Sequence, residues 1–305
     1  MTLRSMLVAL LGLGLLGAPA FAAQQAGPGT VNYVEGAVYL EGAQLNAKDV
    51  GNANLDAGQV LTTGKGKAEI LLTPGVFLRL DDNSAVKMIS PDLTLTQIEL
   101  EKGRAGIEVD QIHNQNNLQV IDAGVTTRLQ KTGYYEFDAN NPAAMVFKGK
   151  ASVEVADGKT REIRGHHELM LAAANGQLTA NEKPRDFDAE KSQDGLYNWS
   201  SLRSQYLAES NNEIAEEYGG AGVNPGWFWD PYSYGYTYIG MGPFASPFGW
   251  GFYPFGWGGL YGGFYGGGYY GRGYYGGHYG HGVGGYAGGG SGMGGGGFHG
   301  GGGHR

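Results

Sequence analysis

The segment Ala57–Val86, AGQVLTTGKGKAEILLTPGVFLRLDDNSAV, decides the fold class of this 305-residue chain. Apolar residues occupy every second position in Ala68–Leu72 and again in Val76–Leu80. Pro74–Gly75 separates the two runs, and Asp81–Ser84 ends the second. Alternation with a period of two, interrupted by turn-forming residues, predicts a tight β-hairpin that buries one face.

The same pattern continues on both sides of this hairpin, from Thr30 to Thr179. Short alternating runs recur about every 8 to 12 residues, without helical periodicity between them. This spacing predicts an all-β sandwich, barrel or roll rather than an alternating α/β sheet. The further predicted strands are Val86–Ile89, Gln97–Leu100, Ala105–Val109, Leu118–Ile121, Tyr134–Phe137, Met145–Phe147 and Ala151–Val155.

The order of these pieces resembles the FecR domain family over about Gly29–Leu171. The resemblance rests on the hairpin above and on three later segments: IELEKGRAGIEV (98–109), LQVIDAGVTTRLQKTGYYEFD (118–138) and MVFKGKASVEV (145–155). It implies an all-β domain over 29–181, built as a FecR-type β-roll, solenoid-like or sandwich module. Asn83 stands where the family often has glycine, and asparagine tolerates the left-handed conformation that such a turn needs.

The first 22 residues are typical of a secretory signal. Arg4 precedes an apolar run, Met6–Leu16, which is too short to span a bilayer, and Ala20–Ala22 has the small-residue pattern of a cleavage site. We expect cleavage after Ala22 and an exported protein, in the periplasm or at the cell surface; an uncleaved anchor is the less favoured alternative. FecR proteins join a cytoplasmic sigma-factor-regulating segment to a membrane helix and a periplasmic β domain. With a signal in the place of that segment, we expect no direct contact with a sigma factor.

A different composition follows the β region. Apolar side chains at three- and four-residue steps predict an amphipathic helix over 186–218, which either docks on the β domain, as we prefer, or enters a partner's groove. Residues 225–255 alternate prolines with aromatic residues and are expected to be extended. Residues 256–305 form a Gly/Tyr-rich low-complexity tail, expected to be disordered; 37 of the 58 glycines lie from residue 219 onward. Residues 196–211 and 226–255 resemble the C-terminal extension of acidobacterial-type FecR-domain proteins.

The residues that could carry chemistry form no specific motif. The chain has no cysteine and no catalytic signature of the hydrolase or metalloprotease type. Its histidines include His278, His281, His299 and His304 in the tail and the pair His166–His167 followed by Glu168. The tail histidines are expected to bind metals weakly and without specificity at most, because a site needs several ligands on an ordered frame. Asp81–Asp82–Asn83 is interpreted as a turn rather than a calcium loop, and Gly64–Lys67 lacks the spacing of a phosphate loop.

Charge limits the partners. Residues 24–218 carry 18 basic against 28 acidic residues, so nucleic acid is not an expected ligand. We predict no catalytic residues, no cofactor and no metal site. The first functional hypothesis is a non-enzymatic exported scaffold that binds an envelope protein or polysaccharide, with a cohesive tail for surface or matrix contacts. The alternative is a periplasmic sensing component coupled to an outer-membrane transporter, and an enzyme ranks last.

Overall fold

The computed structural model describes residues 26–171, 173–174, 177–178, 182–217 and 224–255. The first half of the sheet region contains β1 (Val31–Leu40), β2 (Ala43–Leu45), a 3-10 turn (Ala47–Asp49), β3 (Val60–Leu71), β4 (Val76–Leu80), β5 (Ala85–Asp92), β6 (Leu95–Lys102) and β7 (Arg104–Val109). The second half contains β8 (Leu118–Asp122), β9 (Val125–Leu129), β10 (Gly133–Asp138), β11 (Ala143–Lys148), β12 (Lys150–Glu154), β13 (Thr160–Arg164), β14 (His167–Met170), β15 (Ala173–Ala174), β16 (Gln177–Leu178) and β17 (Arg185–Asp186). The C-terminal elements are α1 (Gly195–Glu217), β18 (Gly226–Asp230), β19 (Gly235–Ile239), β20 (Phe244–Ala245) and β21 (Gly251–Phe252).

The long strand β3 organises the sheet. β1 pairs antiparallel along one edge of β3. The other edge is divided, because its first residues pair with β5 and its last residues with β4. From this division the sheet continues in two directions, which we name the open arm (β5, β6, β8, β9, β12, β13) and the covered arm (β4, β7, β10, β11, β14, β17).

The chain moves repeatedly between the two arms. After β5 and β6 in the open arm it enters β7 of the covered arm, and it returns for β8 and β9 before entering β10 and β11. β8 lies parallel to β6, whereas the other pairings between named strands are antiparallel. Neighbouring strands of one arm can therefore come from well-separated parts of the chain.

The main core lies between the arms. On the inner face of the covered arm, one row of opposite residues crosses five strands, and each of its side chains is almost fully buried: Ile70, Leu78, Ile107, Tyr135 and Val146. The open arm contributes Met88, Ile98 and Val120 to the same continuous cluster. This is the alternation that predicted an all-β module, and the module is all-β.

The hairpin predicted from the sequence is formed by β3 and β4, with Ala68 opposite Leu80 and Ile70 opposite Leu78. Asn83 adopts a left-handed backbone with φ of 52° in the turn that follows. Asparagine can occupy this conformation at small cost, which is why it can stand in for glycine there.

The residues after the sheet form a separate layer on the outer face of the covered arm. We name α1 together with β18–β21 the C-terminal layer. It buries Leu71 and Phe77 from the sheet against Leu207, Tyr238 and Phe252 of its own elements. β4 and most of β7 and β10 are consequently buried on both faces.

The C-terminal layer differs in detail from the predicted helix and extended segment. α1 begins at Gly195 rather than at 186, because the carboxylate of Asp194 caps its first turn, and β17 occupies Arg185–Asp186. Residues 226–252 form two short hairpins rather than an extended chain. The predicted tail, 256–305, lies outside the described residues. Within the described part of the chain, no helix combines the length and apolarity that crossing a membrane requires.

Candidate functional site

A buried cluster of charges lies between the covered arm and α1. Arg79, fully buried on β4, contacts Glu69 of β3 through Nε at 2.8 Å and Glu108 of β7 through Nη1 at 2.6 Å. These three residues occupy the outer face of the sheet, opposite the apolar core. A guanidinium held between two carboxylates compensates the desolvation of all three groups only while the set stays complete.

The helix completes this cluster. Nη2 of Arg203 lies 3.0 Å from Oε1 of Glu69, and the hydroxyl of Ser204 donates to Oε1 of Glu108 at 2.6 Å. Burial opposes ionisation of Glu69, but Arg203 and Arg79 outweigh it and lower the pKa of Glu69 to about 2. The part of α1 that meets the cluster is therefore small and polar, and the buried polar residues of the helix include Ser200, Ser204 and Asn211.

Asp110 adds a further carboxyl at the edge of the cluster. Burial, together with the neighbouring charge of Glu108, raises the pKa of Asp110 well above its ordinary value. Arg79 attracts the ionised form but does not reverse this shift. Burial and the charge of Glu108 therefore both disfavour the ionised form of Asp110, which limits the negative charge buried in the cluster.

A second network fixes the start of α1. Arg104 of β7 contacts Glu136 at 2.7 Å and also pairs with Asp194, the residue that caps the helix. The hydroxyl of Tyr134 lies 3.0 Å from both Glu136 and Ser200. Burial, and then the charge of Asp194, raises the pKa of Glu136 to about 7 against the attraction of Arg104.

The hairpins of the C-terminal layer are attached with similar specificity. The side chain of Asn32 on β1 donates to the carbonyl of Tyr236 at 2.9 Å and accepts from its amide at 2.6 Å. Asn211 of α1 donates to the carbonyls of Tyr238 and Tyr253 and accepts from the amide of Tyr253 at 2.7 Å. Trp227 packs edge-on against Phe77, with ring centroids 5.1 Å apart.

These contacts close the outer face of the covered arm. The charged groups of the cluster point at one another and at α1, and Glu69, Arg79 and Glu108 have no exposed surface. Such an arrangement holds a helix in place and offers no entry to a ligand. The buried charges are therefore a structural clamp, and a partner surface has to be sought elsewhere.

The outer face of the open arm, in contrast, is not closed by the C-terminal layer. No described element lies over it, and its side chains are half-exposed to exposed apart from Ser152, which is 8% exposed. One row of polar residues lies across five adjacent strands: Gln97, Gln119, Arg128, Ser152 and Glu162. A second row consists of Lys87, Glu99, Ile121 and Thr126. Both signs of charge occur on this face, which is flat, polar and accessible.

A pocket of about 240 Å³ lies at one end of this face. The loop between β7 and β8 supplies Ile112, His113 and Asn114, and the end of β9 supplies Arg128 and Gln130. A more open groove of about 480 Å³ lies elsewhere, between the β1 and β3 backbones, and carries Glu35, Lys65, Lys67 and Asp82. The pocket has no acidic residue in its lining, whereas the groove has both signs of charge.

The residues weighed in the sequence as possible sites do not converge. His166 lies in a turn with φ of 66°, and His167 on β14 pairs with Asp186. Asp81 pairs with Lys67 and Arg104 in the turn after β4. Gly64–Lys67 belongs to β3. Among the described residues no group of three or more His, Asp or Glu could hold a metal ion, and His278, His281, His299 and His304 lie outside them.

Most strands of the large sheet lie in a segment that matches a known protein family. Residues 59–164, from the start of β3 to the end of β13, match the family model described as FecR protein. Residues 59–164 form a FecR domain. The match includes the charged residues Glu69, Arg79 and Glu108 and the whole open arm, and it ends before α1. The C-terminal layer lies outside the matched residues and covers part of the outer face of the matched sheet.

Solved structures give a more distant likeness. Two crystal structures of a proposed anti-sigma factor from Parabacteroides distasonis align with 15% and 13% sequence identity and TM-scores of 0.35 and 0.37. The alignments cover 43% and 48% of this chain and 60% and 64% of those chains, less than two thirds of their length. Among curated proteins, none matches the chain.

The sequence analysis did not predict the charge cluster, and it predicted only in part which side chains of α1 face the sheet. The predicted apolar stripe consisted of Leu196, Trp199, Leu202, Tyr206, Ile214 and Tyr218. Leu196 and Ile214 are buried, whereas Leu202 is 47% and Tyr206 50% exposed, and Tyr218 lies outside the described residues. The face of α1 that docks is mixed, because Arg203 and Ser204 meet Glu69 and Glu108 whereas Leu207 packs with Leu71 and Phe77. The available signals were Leu71 and Phe77, apolar residues on the faces of β3 and β4 that the alternation assigned to solvent.

Proposed function

We propose that this protein is an exported, non-catalytic sensing component of the FecR type, and that its open arm binds a protein partner in the cell envelope. One observation supports this above others. In the part of the chain that the structure describes, the C-terminal layer covers the outer face of one arm, whereas no element covers the outer face of the other arm, which lies within the FecR domain. A module with one face self-occupied presents the other to its partner.

The chemistry of the open face favours a protein partner. Gln97 donates to Gln119 at 2.6 Å across the β6–β8 pair, so the amide row is preordered. Lys87 and Glu99 oppose each other on β5 and β6. Mixed charges on a flat sheet suit a partner surface of matching pattern, where polar contacts provide specificity more than affinity. A polyanion would instead require an excess of basic residues.

The sensing hypothesis has better support than the scaffold hypothesis that we placed first from the sequence. The scaffold depends on a cohesive tail, and residues 256–305 lie outside the described part of the chain. The sensing hypothesis depends on the FecR domain itself, and the resemblance to that family implies an outer-membrane transporter as the partner class.

Site-specific photo-crosslinking in living cells tests the partner surface. A photoreactive amino acid is placed at Gln119 or Thr126 on the open arm, and at Glu209 or Glu213 on the exposed side of α1 as matched controls. We expect one envelope protein to crosslink from both open-arm positions and from neither control. Equal products from the two surfaces, or none from the open arm, would contradict the proposal.

A transcriptional comparison separates sensing from scaffolding. The substitution Thr126→Arg places a charge in the middle of the open face without touching the core, so it should block the partner and leave the fold intact. A sensor requires this variant and the gene deletion to change the same set of transcripts. A scaffold would leave transcription unaltered while changing cohesion or envelope attachment.

Export and placement have their own test. An epitope is inserted after Gly290, and intact cells are treated with protease before and after the outer membrane is permeabilised. The sensing proposal requires the epitope to survive until permeabilisation. Loss of the epitope from intact cells would place the tail outside and favour the surface scaffold.

A further inference from the structure

The pocket at the end of the open arm contains an arginine without a carboxylate partner. Arg79, Arg104, Arg164, Arg185 and Arg203 each contact an acidic side chain directly. Arg128 makes no such contact with any described residue, although residues 24–218 have an excess of acids. An exposed guanidinium that remains unpaired in an acidic protein is available to a ligand.

The rest of the lining favours a carboxylate. His113, Asn114 and Gln130 surround Arg128, and no acidic residue lines the pocket. The guanidinium offers two parallel N–H donors in the geometry that a carboxylate accepts. Amide groups beside it can donate to the same oxygens. A single arginine balances a single negative charge, so the site suits a carboxylate better than a doubly charged phosphate.

The apolar part of the site indicates what carries that carboxylate. Ile112 and the buried Leu129 form a wall beside the polar donors. The pocket loop is tied to the β5–β6 hairpin by Asn116, whose amide donates to the carbonyl of Leu93 at 2.9 Å. At that hairpin, Leu93 is 50% and Leu95 38% exposed. A carboxylate next to an apolar wall and an exposed leucine pair matches the last residue of a polypeptide with an apolar side chain.

We propose that this pocket binds the C-terminal carboxylate of a polypeptide that ends in an apolar residue. Arg128 holds the carboxylate, Asn114 and Gln130 donate to it, and Ile112 contacts the terminal side chain. The residues before the end then run toward Leu93. That the ligand is a protein rests on the proposed function, whereas the anion-binding character of the pocket does not.

Fluorescence polarisation with short labelled peptides tests the assignment on the purified full chain. The probe is a peptide ending in Ala-Ala-Leu with a free carboxylate, and its C-terminal amide is the matched ligand control. We expect the amide to bind about tenfold more weakly, since it lacks the charge that Arg128 recognises. Arg128→Gln should remove the difference between acid and amide. Arg164→Gln is the protein control, because Arg164 is 76% exposed, lies on β13 and already pairs with Glu162.

The outcomes separate this proposal from its rivals and from the proposed function. Equal binding of acid and amide, absence of binding at millimolar peptide, or an equal effect of Arg164→Gln would overturn it. Galacturonate competing as strongly as the peptide acid would show a site for sugar carboxylates instead. Crosslinking in cells can fail while the peptide result stands, so failure of the partner surface and failure of the pocket are distinguishable.

Discussion

Replacing Arg79 by methionine tests whether the buried charge cluster holds the fold together. The substitution keeps much of the side-chain volume but removes the guanidinium that Glu69 and Glu108 share. Glu69 would retain Arg203, whereas Glu108 would keep the hydroxyl of Ser204 but no contact with a cation among the described residues. Removing one partner of a buried ion pair costs about 3–5 kcal/mol, because the remaining charge stays desolvated. We expect Arg79→Met to fall within this range, with Glu108 responsible for most of it.

The asymmetry between the two glutamates gives the prediction a second part. If the uncompensated charge of Glu108 causes the loss, then Glu108→Gln should be less harmful in the Arg79→Met background than alone. We expect a coupling of about 2 kcal/mol between the two positions, as is usual for residues in one buried network. Glu69→Gln should couple to Arg79→Met less strongly, because Arg203 continues to neutralise Glu69.

Thermal unfolding followed by circular dichroism measures these differences. One kcal/mol corresponds to about 2–4 °C in a domain of this size, so Arg79→Met should lower the midpoint by roughly 10 °C. Arg164→Met, which removes an exposed arginine, is the control and should change the midpoint very little. A shift for Arg79→Met as small as that of the control, or additive effects of Arg79→Met and Glu108→Gln, would refute the reasoning.

Three further substitutions test other parts of the structure. Burial, and then the charge of Asp138, raises the pKa of Asp122 to about 7, so its contribution to stability is complete below pH 4 and lost as pH rises to 7. Over this pH range the wild-type protein should lose up to about 4 kcal/mol of unfolding free energy. Urea titrations of Asp122→Asn should lack this loss. Parallel pH profiles of stability for the two proteins would contradict the prediction. Asn211→Ala removes hydrogen bonds to two backbone segments of the C-terminal layer. The substitution should lower the free energy of unfolding by about 2–3 kcal/mol and speed proteolysis within 224–255. An unchanged rate of cleavage would count against this prediction. Gly133→Ala would place Cβ 1.9 Å from the carbonyl oxygen of Lys148, and a soluble variant with native circular dichroism would show that the β10–β11 edge can move apart.

The strands were predictable because their signal is local. Alternation in Ala68–Leu72 and Val76–Leu80 reflects one buried face, and any partner that covers this face preserves the pattern. The turn at Asn83 was predictable for the same reason, since its left-handed backbone depends on a few neighbouring residues. Fold class follows from such repeated local signals.

The charge cluster could not be predicted in the same way. Glu69, Arg79 and Glu108 alternate with core residues, so each one has the sequence appearance of a solvent-facing side chain. Their burial depends on α1, which lies about 95 to 135 residues further along the chain. The predicted start of the helix was wrong for a related reason. Several aspartates precede the helix and could cap it, and the one that does, Asp194, also pairs with Arg104 from β7. The pocket depends on strand order, which brings the loop after β7 beside the end of β9.

The pairing of Asn32 with Tyr236 joins the first strand to the next-to-last hairpin, 204 positions away. A fold closed by such distant contacts forms slowly, because the entropy of a long loop is lost before the contact is made. The covered arm cannot bury Arg79, Glu69 and Glu108 until the final third of the chain has been synthesised. For a chain that we propose is exported, we expect this order to delay burial of the charge cluster until the C-terminal layer has itself crossed the membrane.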